Sequence, residues 1–147
     1  MSKKTSPYIL GFYGSSGIGK TTLVTRIVRL LTDEGFHVAV IKISNQAISI
    51  DSKGKDTYLY GEAGAETVVF SSASESAVLF KKPLSTSTII KFLNENESFD
   101  FIFIEGAIED WIPKIRLGEM DIRANTLFTY DGNFKELYKK IKHYKIL

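Results

Sequence analysis

Apolar positions along the chain alternate between short continuous runs and helical spacing. "YILGFY", Tyr8 to Tyr13, is an apolar run of strand length. In "TTLVTRIVRLLTDEG", Leu23, Val24, Ile27, Val28, Leu30 and Leu31 recur at helical steps, which predicts an amphipathic helix stopped by Gly35. "HVAVIKI" predicts a second strand, buried on both faces by its composition. A polar stretch, "SNQAISIDSKGK", predicts a loop. "DTYLYGEAGA" predicts a short helix with Asp56 at its N-cap and Gly64 at its end. "ETVVFSS" and "SAVLF" read as strands three and four, and "STSTIIKFLNENE" as a helix. "FDFIFIEG" is a nearly continuous apolar run ending in an acid, a fifth strand with Asp100 capping its start. "PKIRLG" and "NTLFTY" predict two more short strands, and "NFKELYKKIKHYKIL" a basic final helix. Alternating strands and helices predict an α/β fold: a doubly wound, mostly parallel sheet with helices on both faces. No repeat, low-complexity tract or long linker interrupts the pattern, so residues 1–147 are expected to form a single domain.

Composition narrows the function classes. The apolar and charged fractions, 44% and 24%, suit a soluble globular protein. A net charge of +2 is too small to argue for nucleic acid or a membrane surface as partner. The absence of cysteine excludes disulfides and Cys-ligated zinc and fits a reducing cytoplasm, the expected location. No apolar run reaches the roughly 18 residues of a membrane-spanning helix. The opening "MSKKTSPYILGFYG", with Lys3 and Lys4, lacks the long apolar region and cleavage site of a signal peptide.

The strongest chemistry lies between the first strand and first helix. Gly14, Gly19, Lys20 and Thr21 fit G-x-x-x-x-G-K-[ST], the phosphate-binding loop of P-loop NTPases, with Ser15, Ser16, Gly17 and Ile18 between them and Thr22 after them. Glycines let successive backbone N–H groups face one anion, and the helix N-terminus behind them favours negative charge. Lys20 is placed to reach β- and γ-phosphates, and the Thr21 hydroxyl to ligate Mg²⁺. Such a loop needs an acid at the end of a neighbouring strand to hold the metal through water, and Glu105, followed by Gly106, is the candidate.

Four segments together extend the pattern beyond a bare P-loop. They are "GSSGIGKTTL", the strand-two lysine of "VAVIK" (Lys42), "DSKGKDTYLYGEAGAETVVFSS", and "FIEG" followed by "IPKI". Asp51, Gly54, Lys55, Asp56, Gly64, Ala65, Glu105, Gly106, Pro113 and Lys114 fall at the pattern's positions. In these segments the chain resembles the molybdopterin-guanine dinucleotide biosynthesis protein B (MobB) family. The resemblance implies a GTP-binding protein, usually a homodimer, with weak GTPase activity. It also implies assistance to the guanylyltransferase that joins GMP to molybdopterin, with molybdopterin itself a possible ligand. Two departures stand out. Where the family has a histidine-rich stretch after the strand-two lysine, this chain reads "ISNQA", and its only histidines are His37 and His143. Where the family tends to carry an arginine after the K-D-S/T segment, this chain has Leu59 and Tyr60, which removes a candidate cationic clamp.

Hydrolysis requires an oriented water and extra positive charge. Asp51 and Asp56 sit in or beside the loop after strand two and can position water or help hold Mg²⁺; the alternatives are a turn residue and a helix cap. Lys42 and Lys55 can neutralise phosphate charge. Arg116 and Arg123 read either as surface residues or as fingers across a dimer. With no clear clamp, slow turnover is expected. The guanine signature N-K-x-D is absent, but Asp131 in "TYDGN" can accept from guanine N1 and N2, unless Asp-Gly-Asn is a plain turn. Trp111 beside the candidate site reads as packing or as a cover over a ligand or partner. Leu137, Ile141 and Tyr144 give the last helix an apolar face, with Lys135, Lys139, Lys140, Lys142 and Lys145 outward. The competing class is a small P-loop kinase passing the γ-phosphate to a metabolite, although no arginine-rich lid segment is evident. The lack of cysteine and the two isolated histidines argue against metal delivery.

Overall fold

A computed structural model describes residues 6–143. Lys3, Lys4, Tyr144 and Lys145 lie outside the described residues. The chain forms two compact units, one of residues 6–44 and 92–143 and one of residues 45–91.

The first unit is built on a five-stranded, all-parallel sheet in the order β2-β5-β1-β6-β7. Its strands are β1 (Tyr8–Tyr13), β2 (Val38–Lys42), β5 (Phe101–Glu105), β6 (Lys114–Arg116) and β7 (Thr126–Thr129). Helix α1 (Lys20–Asp33) follows β1, and α4 (Phe134–Lys142) follows β7. Both helices pack on one face of the sheet. Leu23, Ile27 and Leu31 of α1 and Leu137 and Ile141 of α4 join Leu10, Phe12, Phe101 and Phe103 in one core. The helical period of the apolar positions in α1 produces that face, and each fully buried Ile or Leu contributes about 1.5–3 kcal/mol. At the opposite end of the strands, the Asp100 carboxylate accepts the His37 N–H (2.8 Å) and its carbonyl accepts the Tyr8 N–H (2.8 Å), so it ties β1, β2 and β5 at their starts.

The segments after β5 and β6 close onto the chain through two cations. Lys114 is fully buried and its ammonium donates to the carbonyls of Glu109 (2.5 Å), Ile112 (2.7 Å) and Ala124 (2.7 Å). Loss of hydration holds its pKa below the ordinary lysine value, an effect opposed by Asp110 and Glu109. Arg123 lies 4.7 Å over the Tyr13 ring and donates to the Ala107 carbonyl (2.7 Å).

The second unit contains α2 (Asp56–Glu62) and a two-stranded antiparallel hairpin of β3 (Thr67–Ser71) and β4 (Ser76–Phe80). Helix α3 (Thr86–Asn96) carries the boundary back to the first unit. Among the described residues no helix is long and apolar enough to cross a membrane.

Three expectations need correction. Strands three and four do not enter the parallel sheet. Only four residues connect them, closed by Ser72 and Glu75, and a parallel crossover needs a dozen or more. β2 is not buried on both faces: it is an edge strand, and Val40 is 47% exposed. Asp56 is the first residue of α2 and not its cap. Lys55, extended at φ −78° and ψ 155°, occupies the N-cap, and its carbonyl accepts from the Leu59 N–H.

Candidate functional site

The loop from Gly14 to Gly19 joins the end of β1 to α1. Gly19 is the helix N-cap at φ 102°, a left-handed conformation that a residue with a Cβ adopts only at a cost. No side chain caps this helix and its first turn holds no acid. Lys20, Thr21 and Thr22 open the helix, so their N–H groups have no carbonyl one turn back within it. Ser15, Ser16, Gly17 and Ile18 are exposed. The Lys20 ammonium folds back over the loop and donates to the Gly14 and Ser15 carbonyls, both at 2.8 Å.

Sheet register brings the remaining parts together. Lys42 and Phe12 flank Glu105 on neighbouring strands at the carboxyl edge of the sheet. Glu105 is 8% exposed. Its carboxylate accepts from the Thr21 hydroxyl (3.1 Å to Oε1, 3.4 Å to Oε2), and the Lys42 ammonium lies 3.7 Å from Oε1. Gly106 turns away at φ 85°, and a Cβ there would stand 2.6 Å from the Ile43 carbonyl oxygen, so only glycine can follow this acid. Phosphate loop, Thr21, Lys42, Glu105 and Gly106 therefore converge where ligands bind in open α/β sheets. A groove of about 450 Å³ continues from Thr21 and Glu105 past Val24, Val28 and the exposed Val40.

This arrangement offers two ammonium groups, one uncapped helix N-terminus, one hydroxyl and one carboxylate. Such a set suits a polyphosphate carrying a divalent cation. Among the described residues no cluster of His, Cys, Asp and Glu could hold a metal unaided. A cation here would take further ligands from phosphate and water, as Mg²⁺ at nucleotide sites does.

Asp131 follows β7 at the same edge, two strands from β1, a lateral separation of roughly 10 Å. Its Oδ1 accepts the Asn133 N–H (2.8 Å), and the Asn133 side chain in turn caps α4 by accepting from Glu136 (3.2 Å). Arg116 donates to Thr129 and Met120 and Arg123 to Ala107, so both guanidinium groups are engaged within the chain. Trp111 is 49% exposed.

Asp51, Lys55 and Asp56 belong to the second unit. Asp51 Oδ1 accepts from the Ser52 N–H and the Thr57 hydroxyl, both at 3.0 Å, and Oδ2 lies 3.8 Å from the Lys81 ammonium. All three line a cavity of about 590 Å³ with Ile50, Phe70 and Glu75. Nothing local in the sequence marks these last three, because the hairpin pairing and the fold of the unit bring them to the cavity.

Comparison with known proteins bears on this geometry. A family model described as "Molybdopterin guanine dinucleotide synthesis protein B" matches residues 9–138. The chain is 31% identical over 116 residues to the "Molybdopterin-guanine dinucleotide biosynthesis adapter protein" of Haemophilus influenzae, covering 78% of this chain and 65% of that protein. It is 31% identical over 120 residues to the Escherichia coli protein of the same name, covering 80% and 69%. The chain thus spans about two thirds of the length of these curated relatives. Its fold is similar to the crystal structure of Bacillus subtilis MobB, with a TM-score of 0.64, 23% identity, and coverage of 74% of this chain and 66% of that one.

Proposed function

From the premise that this chain belongs to the molybdopterin guanine dinucleotide synthesis protein B family, we propose that it is a GTP-binding adapter of molybdopterin-guanine dinucleotide assembly. It supports a partner guanylyltransferase in joining GMP to molybdopterin. The observation that carries the nucleotide part is the Thr21 hydroxyl on the Glu105 carboxylate, beside Lys20 at an uncapped helix end. The residues fit Mg-GTP. Lys20 would leave the Gly14 and Ser15 carbonyls for β- and γ-phosphate. The N–H groups of Gly17, Gly19, Lys20, Thr21 and Thr22 would face the phosphates. Thr21 would ligate Mg²⁺, Glu105 would hold it through water, and Lys42 would neutralise phosphate charge. Asp131 would accept from the guanine N1 and N2 donors. Bound Mg²⁺ supplies neutralisation of charge developing between the β- and γ-phosphates. Arg116 and Arg123 are held by other partners and supply no clamp, so intrinsic GTP hydrolysis is slow and the protein works chiefly as a nucleotide-loaded adapter. The active form is a homodimer, a reading supported by the exposed apolar face of the β3–β4 hairpin.

Calorimetric titration with GTP and with ATP, each with Mg²⁺, tests this. The expected result is a GTP preference of about tenfold or more, roughly 1.4 kcal/mol. Equal affinity, or a preference for ATP, would overturn the guanine assignment and favour the kinase reading. In Lys20→Ala, nucleotide binding is lost while the thermal midpoint stays that of the wild type. Equal GTP affinity in wild type and Lys20→Ala would remove the phosphate-loop assignment.

A further inference from the structure

Trp111 is the single tryptophan of the chain and has no part in the nucleotide site proposed above. It is 49% exposed, in the segment after β5. Ile108 in the same segment is 58% exposed, Ile122 in the segment after β6 is 71% exposed, and Ile18 of the phosphate loop is exposed as well. These three segments leave the neighbouring strands β5, β1 and β6 at one edge of the sheet. Hydrogen bonds tie the two later segments together. Asn125 donates to the Trp111 carbonyl (3.4 Å), and Arg123, next to Ile122, donates to the carbonyl of Ala107, next to Ile108 (2.7 Å). Ile18 reaches the start of the last segment, where a Cβ on Gly118 would stand 3.1 Å from its side chain. An exposed tryptophan among exposed isoleucines has the composition of an interface centre.

Charge is sorted across the same segments. Their cations turn inward: Lys114 is wholly buried on three carbonyls, and Arg116 and Arg123 donate to Thr129, Met120 and Ala107. Asp110, Glu119 and Asp121 are exposed, and among the described residues no hydrogen bond or ion pair engages their carboxylates. A partner approaching from solvent therefore meets carboxylates around apolar side chains, with the balancing cations beneath. That order repels nucleic acid and anionic membranes and attracts lysine and arginine.

Resting on the proposed adapter role, we infer that this lip of the phosphate loop is the docking surface for the partner enzyme, which meets it with a basic face. That face offers an apolar pocket for Trp111, rimmed by lysines or arginines opposite Asp110, Glu119 and Asp121. Trp111 is the buried anchor, and the carboxylates set approach and register. Because Ile18 belongs to the phosphate loop itself, docking here sets the partner beside whatever that loop holds.

The test is titration of the full chain, with fluorotryptophan at its one tryptophan position, by the unlabelled guanylyltransferase. The fluorine resonance of Trp111 is expected to shift as the complex saturates, and rising salt is expected to weaken the complex. By calorimetry, Trp111→Ala weakens it about tenfold or more. Asp110→Lys combined with Asp121→Lys weakens it by about as much and removes most of its salt dependence. All three positions are exposed, so unchanged thermal midpoints report that the variants are folded. A complex that leaves the Trp111 resonance still, or that forms at wild-type affinity in both variants, overturns the inference while the adapter role stands. A complex that tightens with salt overturns the basic face. A dimer of the chain alone that Trp111→Ala dissociates assigns the lip to a second copy and overturns the inference as well. No complex at all strikes the adapter role and the inference with it, and titration of the chain alone with GTP reports separately on the nucleotide reading.

Discussion

At position 114 a lysine ammonium is wholly removed from water and given three main-chain carbonyls in exchange. Two acceptors come from the segment after β5 and the third from the segment after β6, so one cation ties both stretches to the strand that carries it. Lys114→Met keeps the stem's volume but leaves three carbonyls without that donor. The expected cost is roughly 3 kcal/mol, read as a lower urea midpoint with an unchanged slope. A midpoint equal to the wild type would mean that the carbonyls find other donors. This role was not legible beforehand. "IPKIRL" identifies Lys114 as part of a motif, but its acceptors are set by chain segments that meet only in the fold. The phosphate loop was legible because its parts are contiguous, and Glu105 because an acid closing an apolar run can only sit at a strand end.

Among elements, α1 and α4 are joined at their ends as well as along their apolar faces. Glu34, the C-cap of α1, accepts from the Tyr138 hydroxyl (2.7 Å) and pairs with Lys142. The bonds from Lys142 and Tyr138 hold the Glu34 pKa below the ordinary carboxylate value. A lowered folded pKa gives stability that is present above the unfolded value and lost as pH falls through the folded one. The thermal midpoint of the wild type should therefore exceed that of Glu34→Gln at neutral pH, and the difference should close as the pH falls below the ordinary carboxylate range. A difference that holds constant across that range would exclude the ion pair as its cause. Along the same interface Ile27 is fully buried, and Ile27→Ala should cost about 2–5 kcal/mol by denaturant unfolding, with a value near zero meaning that the core refills. The apolar pattern anticipated α1, which buries a repeating face, and β1 and β5, whose nearly continuous runs are buried on both faces. It failed for β2, because an edge strand and a central strand share one composition and only the sheet order separates them. The antiparallel pairing of β3 and β4 did have a signal in their four-residue connection.

For the molecule as a whole, the hairpin in the second unit poses the question of what completes it. Two antiparallel strands alone are marginally stable in water. Val68 is buried on one face of this pair, and Val69, Val78 and Phe80 stand on the other, 62%, 41% and 36% exposed. Val69 and Val78 are directly paired across the strands, so the exposed side chains form one patch. Such a patch is characteristic of an association surface. A second copy of the chain offers the same patch and the same free strand edges, which satisfies the self-complementarity of a two-fold interface. Light scattering should give the mass of a dimer for the wild type and that of a monomer for Val78→Lys. That variant places a charge on a side chain already at the surface, so folding is expected to survive, and the GTP binding proposed for the phosphate loop should survive with it. A wild type that runs as a monomer, or a Val78→Lys protein that stays dimeric, would assign this face to something other than a second copy. The proposed adapter function separates the cases further: if two copies must present their nucleotides together, Val78→Lys keeps the proposed GTP affinity yet no longer supports transfer of GMP by the proposed partner guanylyltransferase.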